Sequence, residues 1–514
     1  MNNRFIIITT CYNVTSWVEM NIYMNKFQTY KDVLYVYVDD NSNDSTYDTI
    51  NSLINKDSRF LLLKNTNNGS QGKSYMHAIE YLEKNQLIQE QDIIVEVDGD
   101  DWLSSCFVLD YLNQIYQNKN IWMTYGQYQI YPTGNIGGHF SMEINDQVDQ
   151  NNLHRHNAFP YSHLKTYKYW LFNKINRNDL IDNNTNEIYS AAWDHALCIS
   201  MVEMAGKKHI HRCDDILYIL NRSQELQNEG KTRITEQKSI EQQIRSSRIY
   251  NKLNYITFNL KGPGAPGGIL NYGLGNLLFQ IATGLSLAKD NNSVATFPQL
   301  LETTYGGYHK NIFKQVNTFQ PSNITNNFKQ PSFNYSDIPF IENCVYDGYF
   351  QSEKFFKHNR EYILSIINNN DIIQQIKEVY PNISSNSVSL HIRRGDYVNL
   401  QNHHPLQSIE YYNLALDKIN NYDSIYVFSD DIEWCKQTLN YENMIFVENQ
   451  TDVFDLFAMS LCSNNIIANS TFSWWGAWLN TNPNKKIVAP SIWFGQQRVA
   501  LQNNDIVPEN WILI

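Results

Sequence analysis

At 514 residues, the chain is too long for one ordinary domain, and two or three domains are expected. Its net charge of −12 and pI near 5.5 argue against nucleic acid or an anionic membrane surface as the main partner. The 34 tyrosines and 11 tryptophans suit clefts that bind sugars by stacking, although core packing explains many of these rings equally well.

The cysteines and the apolar segments bear on the compartment. The seven cysteines are scattered and form no Cys-x-x-Cys pair, so we predict neither a disulfide framework nor a zinc site. The N-terminal apolar run is too short for a signal peptide, and no stretch reaches the roughly 18 to 20 apolar residues of a membrane span. We therefore expect a cytoplasmic protein without a transmembrane segment, in the host cytoplasm if the source is viral. The oligomeric state stays open.

Short apolar runs alternate with helical patterns over the first 220 residues. The predicted strands are residues 5–9, 33–38 and 93–97, and residues 74–82 form a predicted helix. Buried strands separated by helices indicate an α/β domain with a parallel sheet covered on both faces. Such sheets bind ligands at the carboxyl ends of their strands.

Two acidic clusters follow these strands. Asp98 and Asp100 lie on either side of Gly99, where a strand runs into a turn, and carboxylate oxygens are the ligands that Mg²⁺ and Mn²⁺ prefer. Asp39 and Asp40 end the preceding predicted strand and could accept hydrogen bonds from a nucleotide base or ribose. Each cluster alone is explained equally well as turn or helix-capping chemistry.

Taken together, four motifs are more specific. Residues 9–13 (TTCYN), 38–45 (VDDNSNDS), 67–69 (NNG) and 98–102 (DGDDW) have the order and spacing of the family 2 glycosyltransferases. The resemblance covers roughly residues 3–225. It implies a GT-A fold and an inverting, metal-dependent transferase. The motifs fix neither the donor nor the acceptor, and we expect a UDP-sugar as the donor.

The family resemblance also implies residue roles. Asp40 would contact the nucleotide base, with Asp39 beside it, and Asp100 would be the main ligand of Mn²⁺ or Mg²⁺, with Asp98 beside it. Residues 191–197 (AAWDHAL) resemble the segment that carries the catalytic base, which would be Asp194. Here Trp-Asp stands where Glu-Asp is common in the family.

The composition changes after residue 225. Residues 235–253 are polar with a helical pattern, and residues 261–268 (KGPGAPGG) are typical of a linker or turn. We therefore predict a first domain over residues 1–225, a helical connector over 226–265 and a second domain over 266–514. The alternation then restarts, with predicted strands at residues 387–392, 424–429, 465–469 and 486–489 and a helix at 452–462.

A pair of arginines follows one of these strands, in the sequence His391-Ile-Arg393-Arg394-Gly-Asp396-Tyr. A guanidinium presents a fork of donors that matches phosphate oxygens, and it stays charged at any working pH. Such a group can stabilise a departing nucleoside diphosphate without a cation. The alternative is a surface arginine pair bridged to Asp396.

Four further motifs accompany the arginines: residues 272–280 (YGLGNLLFQ), 348–352 (GYFQS), 427–431 (VFSDD) and 468–476 (ANSTFSWWG). The set resembles family 11, the α-1,2-fucosyltransferases, over about residues 267–495. The resemblance implies a GT-B-like (Rossmann-type) fold, GDP-fucose as the donor, inversion at the transferred carbon and a β-galactoside acceptor. It implies no metal or other cofactor for this domain.

By this resemblance, Arg393 would hold the diphosphate and Arg394 would support it. The remaining positions placed at the donor are Gly273, Gly275, Asn276, His391, Ser429, Asp430, Asn469, Ser470 and Thr471. Asp396 and His391 are both candidates for the base.

These observations predict a bifunctional inverting glycosyltransferase that acts on a glycan or glycoprotein. The first domain would add a β-linked sugar, with galactose as the first candidate, and the second would transfer fucose α-1,2 to the galactoside just made. Two alternatives remain: only one domain is catalytic, or the chain is a lectin-like glycan-binding protein. The acidic and arginine motifs argue against a lectin, because a binder of glycans needs no grip on a diphosphate.

Overall fold

The structure is a computed structural model that describes residues 3–137, 142–223, 230–260, 273–302, 307–321, 324–497 and 505–514. The chain divides into two compact units, residues 1–253 and 254–514. Among the described residues, no helix is both long enough and apolar enough to cross a membrane. All seven cysteines are free thiols, as the sequence predicts.

The first unit contains an eight-stranded mixed sheet. Its strands are β1 (Phe5–Cys11), β2 (Val33–Asp39), β3 (Phe60–Lys64), β4 (Ile93–Asp98), β5 (Trp102–Leu103), β6 (Met123–Tyr131), β7 (Thr166–Lys168) and β10 (Ile210–Asn221). The strands β8 (Ile181–Asp182) and β9 (Glu187–Ile188) lie outside this sheet and form a separate antiparallel pair. The strand order is β3-β2-β1-β4-β7-β6-β10-β5. The first four strands in this order are parallel, and β7 is antiparallel to both of its neighbours.

The helices of this unit are α1 (Val18–Lys26), α2 (Thr46–Ile54), α3 (Gln71–Lys84), α4 (Val108–Tyr116), α5 (Asp146–Gln150), α6 (Tyr169–Phe172), α7 (Trp193–Ala205) and α8 (Gly230–Ser246). The strands β1 and β4 are buried along nearly their whole length. Burial on both faces is typical of parallel strands that helices cover from both sides, and it explains why their sequences are continuous apolar runs.

The three strands and the helix predicted for this unit are confirmed, but the sheet is mixed and not parallel throughout. The two-residue strand β5 pairs antiparallel with β10 at the edge of the sheet, and it is too short to show a periodic pattern in the sequence. Strand β7 has only three residues, so it contains no periodic pattern that the sequence could show.

The second unit contains two sheets in which every described strand pairing is parallel. One has the order β12-β11-β14-β13 and the other β17-β16-β15-β18-β19-β20. The strands are β11 (Tyr255–Phe258), β12 (Val294–Thr296), β13 (Asn326–Lys329), β14 (Cys344–Asp347), β15 (Ser387–Ile392), β16 (Ser424–Ser429), β17 (Met444–Phe446), β18 (Asn464–Ile466), β19 (Ile487–Ala489) and β20 (Ile512–Leu513).

The helices of the second unit are α9 (Leu274–Asp290), α10 (Arg360–Ile367), α11 (Asn370–Val379), α12 (Ile409–Ile419), α13 (Ile432–Thr438), α14 (Asp452–Leu461) and α15 (Thr471–Leu479). The apolar helices α9 and α15 pack on each other through buried aromatic rings, such as Phe279 against Trp474 at 4.4 Å between centroids. The predicted strands and the helix α14 are confirmed to within three residues.

The structure places the division between the units inside the predicted connector 226–265. Helix α8 and the residues after it are bound to the first unit, because Arg155 donates to Ser247 at 3.0 Å and Tyr250 N donates to Glu203 at 3.0 Å. Strand β11 begins at Tyr255 and already belongs to the second unit. The predicted linker at residues 261–268 lies outside the described residues.

The ion pair between Arg155 and Glu203 is the buried centre of this attachment, with side chains 2% and 0% exposed and Nε 2.8 Å from Oε1. Glu203→Ala leaves a buried guanidinium without its counter-charge, so we expect the free energy of unfolding of the first unit to fall by about 3 to 5 kcal/mol. Hydrogen exchange over α7 in the full chain, read by mass spectrometry, measures this loss.

The matched control is Asp146→Ala, which breaks an exposed pair with Lys207 whose side chains are 37% and 74% exposed. Exposed pairs contribute at most about 1 kcal/mol, so the control should leave exchange over α7 unchanged. Equal effects of the two substitutions would contradict the role given to the buried pair.

Candidate active sites

The first candidate site lies at the carboxyl ends of β1, β2 and β4. The strand register pairs Cys11 with Asp39 and Thr10 with Asp98, so both acidic clusters stand at the same level of the sheet, on either side of β1. Parallel pairing therefore brings together two segments that are about 60 residues apart in the sequence.

The turn after β4 presents two carboxylates and buries a third. Asp98 and Asp100 are half-buried, and Asp98 Oδ1 accepts a hydrogen bond from Gln71 Nε2 at 2.7 Å. Asp101 is buried and accepts hydrogen bonds from Tyr218 Oη at 2.8 Å and from Asn221 N at 2.7 Å. Asp101 is thus an anchor of the turn, and the other two carboxylates face the site.

Gly99 lets this turn approach β1 closely. A Cβ at this position would lie 2.6 Å from Cys11 Sγ and 3.0 Å from Thr10 O, which is closer than real side chains come. The glycine between the two aspartates is therefore required by packing, and not only by turn chemistry.

The site concentrates negative charge. Burial raises the pKa of Asp98 to about 7, the nearby Asp100 carboxylate raises it as well, and the cation of Lys165 opposes both. Within the described part of the chain, no group of three or more His, Cys, Asp or Glu side chains forms a closed metal site. Two carboxylates fit a Mg²⁺-type ion whose other ligands are water and substrate phosphates. The donor set therefore fits the predicted metal.

Asp194 lies in the first turn of α7 and faces the buried Lys165, whose Nζ is 3.6 Å from Asp194 Oδ2. Burial would raise the pKa of Asp194, but Lys165 and His195 together outweigh this and hold it well below its usual range. Lys165 also interacts with Asp98, so the predicted base and the predicted metal ligand share one counter-ion. Asp194 is thus ionised, which is the state that a general base requires.

Asp39 and Asp40 have different surroundings. Asp40 is buried and accepts from Gly69 N and Ser70 N, both at 2.9 Å, and from Asn65 Nδ2 at 2.7 Å. Its oxygens therefore hold the loop between β3 and α3. Asp39 accepts only a long bond from Ser42 N, and its Oδ1 is buried with no hydrogen-bond partner among the described residues. Of the two, Asp39 has the carboxylate oxygen that lacks a partner among the described residues, and this oxygen is buried.

The second candidate site is a cleft of about 850 Å³ in the second unit. It brings together nearly all the residues predicted at the donor: Gly273, Gly275, Asn276, His391, Arg393, Asp396, Ser429, Asp430, Asn469, Ser470 and Thr471. They come from the ends of parallel strands, where the register pairs Ile392 of β15 with Ser429 of β16, and from the N-termini of α9 and α15.

Gly275 brings the two helix N-termini into contact. A Cβ on Gly275 would lie 2.4 Å from the carbonyl carbon of Thr471 and 2.6 Å from Phe472 N. The first turn of α9 therefore touches the first turn of α15, and unpaired N–H groups of both helices favour an anion at this place.

Arg393 points into the cleft between two carboxylates. Its Nη2 donates to Asp396 Oδ1 at 2.6 Å, its Nη1 lies 2.9 Å from Asp430 Oδ2, and its guanidinium lies 5.3 Å from the centre of the Tyr397 ring. The side chain is 34% exposed, so it is open to a ligand.

Arg394 is not among the residues that line the cleft, so its support of the diphosphate stays a prediction. Its Nε lies 2.9 Å from Asp431 Oδ2, and its guanidinium stacks on Trp434 at 3.9 Å. Arg394 therefore fixes the loop, while Arg393 faces the site.

His391 is buried beneath the cleft, and its Nδ1 has no hydrogen-bond partner among the described residues. Burial lowers the pKa of His391 to about 3, and the charge of Arg393 lowers it as well. The ring is therefore neutral at working pH. The other candidate for the base, Asp396, is more exposed and is paired with Arg393.

The sequence analysis missed Asp455, which also lines the cleft. Its Oδ1 is buried and has no hydrogen-bond partner among the described residues; burial, and then the charge of Asp452, raise the pKa of Asp455 to about 7. No sequence signal pointed to this residue, because an acidic residue in the first turn of a helix has an ordinary explanation in the helix dipole.

The glycines of the α9 motif give a matched test of the cleft. Gly275→Ala places a methyl group against the main chain of Thr471, so we expect α9 to be pushed away and GDP binding to weaken at least about tenfold. Among the described residues, no atom lies within 4 Å of a Cβ on Gly273, whose φ is −58°, so Gly273→Ala should leave α9 in place and weaken GDP binding much less. Calorimetric titration with GDP compares the two, and equal affinities would contradict the close approach.

The two units match different family models. Glycosyl transferase family 2 matches residues 6–175, and Glycosyl transferase family 11 matches residues 271–514. An Alpha-1,2-colitosyltransferase from Escherichia coli is 33% identical over 283 residues, which is 47% of this chain and 96% of that protein. The O-antigen biosynthesis glycosyltransferase WbnK from Escherichia coli is 32% identical over 232 residues, which is 39% of this chain and 76% of that protein.

Among more distant relatives, Galactoside alpha-(1,2)-fucosyltransferase 2 from Oryctolagus cuniculus is 22% identical over 230 residues, which is 40% of this chain and 64% of that protein. Solved structures with similarity include S. aureus TarS in complex with UDP-GlcNAc, at 13% identity and a TM-score of 0.32 over 60% of this chain and 73% of that chain. Fucosyltransferase NodZ from Bradyrhizobium has 11% identity and a TM-score of 0.31 over 44% of this chain and 93% of that chain.

The family models confirm the predicted pairing of a GT-A domain with a GT-B-like domain in one glycosyltransferase. The family 11 match ends at the last residue of the chain and takes in the cleft, and a relative that is 33% identical is covered over nearly its whole length. The chain belongs to glycosyltransferase family 11 through its second unit and carries a family 2 glycosyltransferase domain in its first.

Proposed function

We propose that the chain is a bifunctional inverting glycosyltransferase whose second unit transfers fucose from GDP-fucose, in α-1,2 linkage, to a β-galactoside. The observation that carries this proposal is the cleft of the second unit, which combines the guanidinium of Arg393, two helix N-termini and the buried carboxylate of Asp455. The phosphates of a nucleoside diphosphate can bind the guanidinium and the two helix N-termini, and the N–H groups of its base can bind the carboxylate.

Asp455 supports guanine as the base. An ionised carboxylate only accepts hydrogen bonds, and its two oxygens match the adjacent N–H groups on the Watson–Crick edge of guanine. Uracil offers a single N–H on that edge. A buried oxygen without a partner is costly in the free protein, and a guanine would satisfy it.

The proposed transfer begins when a base removes the proton of the acceptor hydroxyl, with Asp396 and His391 as the candidates. The hydroxyl oxygen then attacks the anomeric carbon of fucose from the face opposite to the phosphate. The bond from that carbon to the phosphate oxygen breaks, and GDP leaves. Arg393 and the N-termini of α9 and α15 stabilise the charge that develops on the departing oxygen.

In the first unit we propose the transfer of a β-linked sugar from a UDP-sugar, with galactose as the first candidate. Asp98 and Asp100 would hold Mn²⁺ or Mg²⁺, which neutralises diphosphate charge when it is bound. Asp39 would accept from the nucleotide, and Asp194 would take the proton of the acceptor hydroxyl. The product is then the acceptor of the second unit.

A panel of nucleotide sugars tests the whole proposal through donor hydrolysis. It contains UDP-sugars, GDP-fucose and GDP-colitose, because the relatives named above differ in the sugar that they transfer. A lectin-like protein would hydrolyse none of them, and a chain with one active domain would use only one class of donor.

We expect the two activities to differ in their need for a metal. EDTA should abolish transfer from the UDP-sugar and leave fucose transfer unchanged, because carboxylates serve the first diphosphate and a guanidinium serves the second. Asp100→Asn should remove only the first activity and Arg393→Ala only the second, and Arg393→Lys should restore little because the fork of donors is lost. Equal loss of both activities in EDTA would refute this division.

We also expect GDP binding to depend on Asp455 and on pH. A pKa near 7 means that the carboxyl is ionised above pH 7 and protonated below it, and only the ionised form accepts both hydrogen bonds. The dissociation constant for GDP should therefore rise about tenfold from pH 8 to pH 6. Calorimetric titration across this range measures the change.

The variant Asp455→Asn should bind GDP weakly and lose the part of this pH dependence that comes from the carboxyl. Any titration of the GDP phosphates affects the wild type and this variant alike. The difference between their pH profiles therefore reports Asp455 alone. Asp371→Asn, which changes a carboxylate that is 82% exposed, is the matched control and should follow the wild type. Identical profiles for the wild type and Asp455→Asn would show that this carboxyl does not bind guanine.

A further inference from the structure

We propose that five rings that line the cleft and pack on one another form the acceptor subsite of the second unit and bind the apolar C–H face of a terminal pyranose. We call these five residues the aromatic wall: Tyr349, Phe333, Phe494, His404 and Tyr397. The inference rests on the proposed transfer to a β-galactoside by this unit and adds the residues that would hold this acceptor.

The rings of the aromatic wall are in continuous contact. Phe333 stacks on Tyr349 at 4.9 Å between centroids and 26° between planes, and its edge meets Phe494 at 6.2 Å. Phe494 lies 6.2 Å from His404, which stacks on Tyr397 at 4.6 Å and 14°. All five line the same cleft.

The position of the wall relative to the donor is what an acceptor site needs. Tyr397 begins the series directly beside the guanidinium of Arg393, and its hydroxyl donates to the carbonyl of Asn469 at 3.2 Å. Both neighbours belong to the proposed diphosphate site. A sugar on the wall would therefore have one end next to the leaving group and the other end toward Tyr349.

Burial distinguishes the wall from the core. Core rings of this unit, such as Phe279 and Trp474, are completely buried. Tyr349, Phe333, His404 and Tyr397 each remain partly exposed, while Phe494 behind them is buried. Partly exposed rings that share a concave surface with a few polar groups are typical of ligand pockets.

The rings of the aromatic wall favour an acceptor sugar that has one apolar face. Aromatic faces carry negative potential and pack well against the polarised C–H groups of a sugar ring. In a β-galactoside, the hydrogens on carbons 3, 4 and 5 lie together on the face opposite to the axial hydroxyl, so one face is largely apolar. A β-glucoside lacks this grouping and should bind more weakly.

Kinetics of the full chain with GDP-fucose and methyl β-D-galactopyranoside test the wall. Phe333→Leu and Tyr349→Leu should each raise the KM for the galactoside about three- to tenfold, because a stacking ring is lost. The dissociation constant for GDP should stay within about twofold, because the ring that lies beside Arg393 is that of Tyr397, which neither substitution changes. The matched control is Tyr335→Leu, in the same loop as Phe333. The ring of Tyr335 does not line the cleft, so this substitution should change neither the KM for the galactoside nor the dissociation constant for GDP.

Saturation-transfer NMR of the same galactoside, with GDP present, tests binding without turnover. We expect the strongest saturation on the hydrogens of carbons 3, 4 and 5, and a weaker signal with Phe333→Leu. If the wild type binds the galactoside in this way but transfers no fucose, the proposed function fails and the wall stands. An unchanged acceptor KM in both variants, or loss of GDP binding in both, would overturn the wall as an acceptor site.

Discussion

Parallel strand pairing is the constraint on which both sites depend. In the first unit the register places Asp39 and Asp98 at one edge of the sheet, and in the second it places Ile392 and Ser429 at one edge. Each strand of a parallel pair must return through a crossover, so residues that meet at the edge are tens of positions apart in the sequence. The functional side chains thus converge because the backbone can pair in only this way.

This constraint also explains how much the sequence could predict. The strands that end at Asp39 and Asp98 are mainly apolar, and the strand that ends at Ile392 alternates polar and apolar residues, so these strands and the residues after them were found. Strand β7 is too short for any pattern, and Lys165 just before it, the counter-ion of Asp194, was therefore missed. Asp455 could not be assigned, because its role depends on which way its side chain points and on what buries it.

The two units also differ in how charge is balanced before any ligand binds. In the first unit the carboxylates are in excess, and burial together with mutual repulsion keeps the pKa of Asp98 high, so a cation would relieve the strain of like charges. In the second unit the cation is resident, and two carboxylates neutralise Arg393. The first site thus carries uncompensated negative charge, whereas the second already holds a cation between its carboxylates.

The pairing of Arg393 with Asp396 and Asp430 bears on how a diphosphate could reach it. Both pairs are partly exposed, with carboxylate side chains 55% and 27% exposed, so each contributes only about 0 to 1 kcal/mol. A diphosphate carries more charge than either carboxylate and accepts a bidentate bond, so it can displace one of them at little cost. Until then the two aspartates hold the guanidinium against Tyr397, at the end of the aromatic wall where the leaving group and the acceptor would meet.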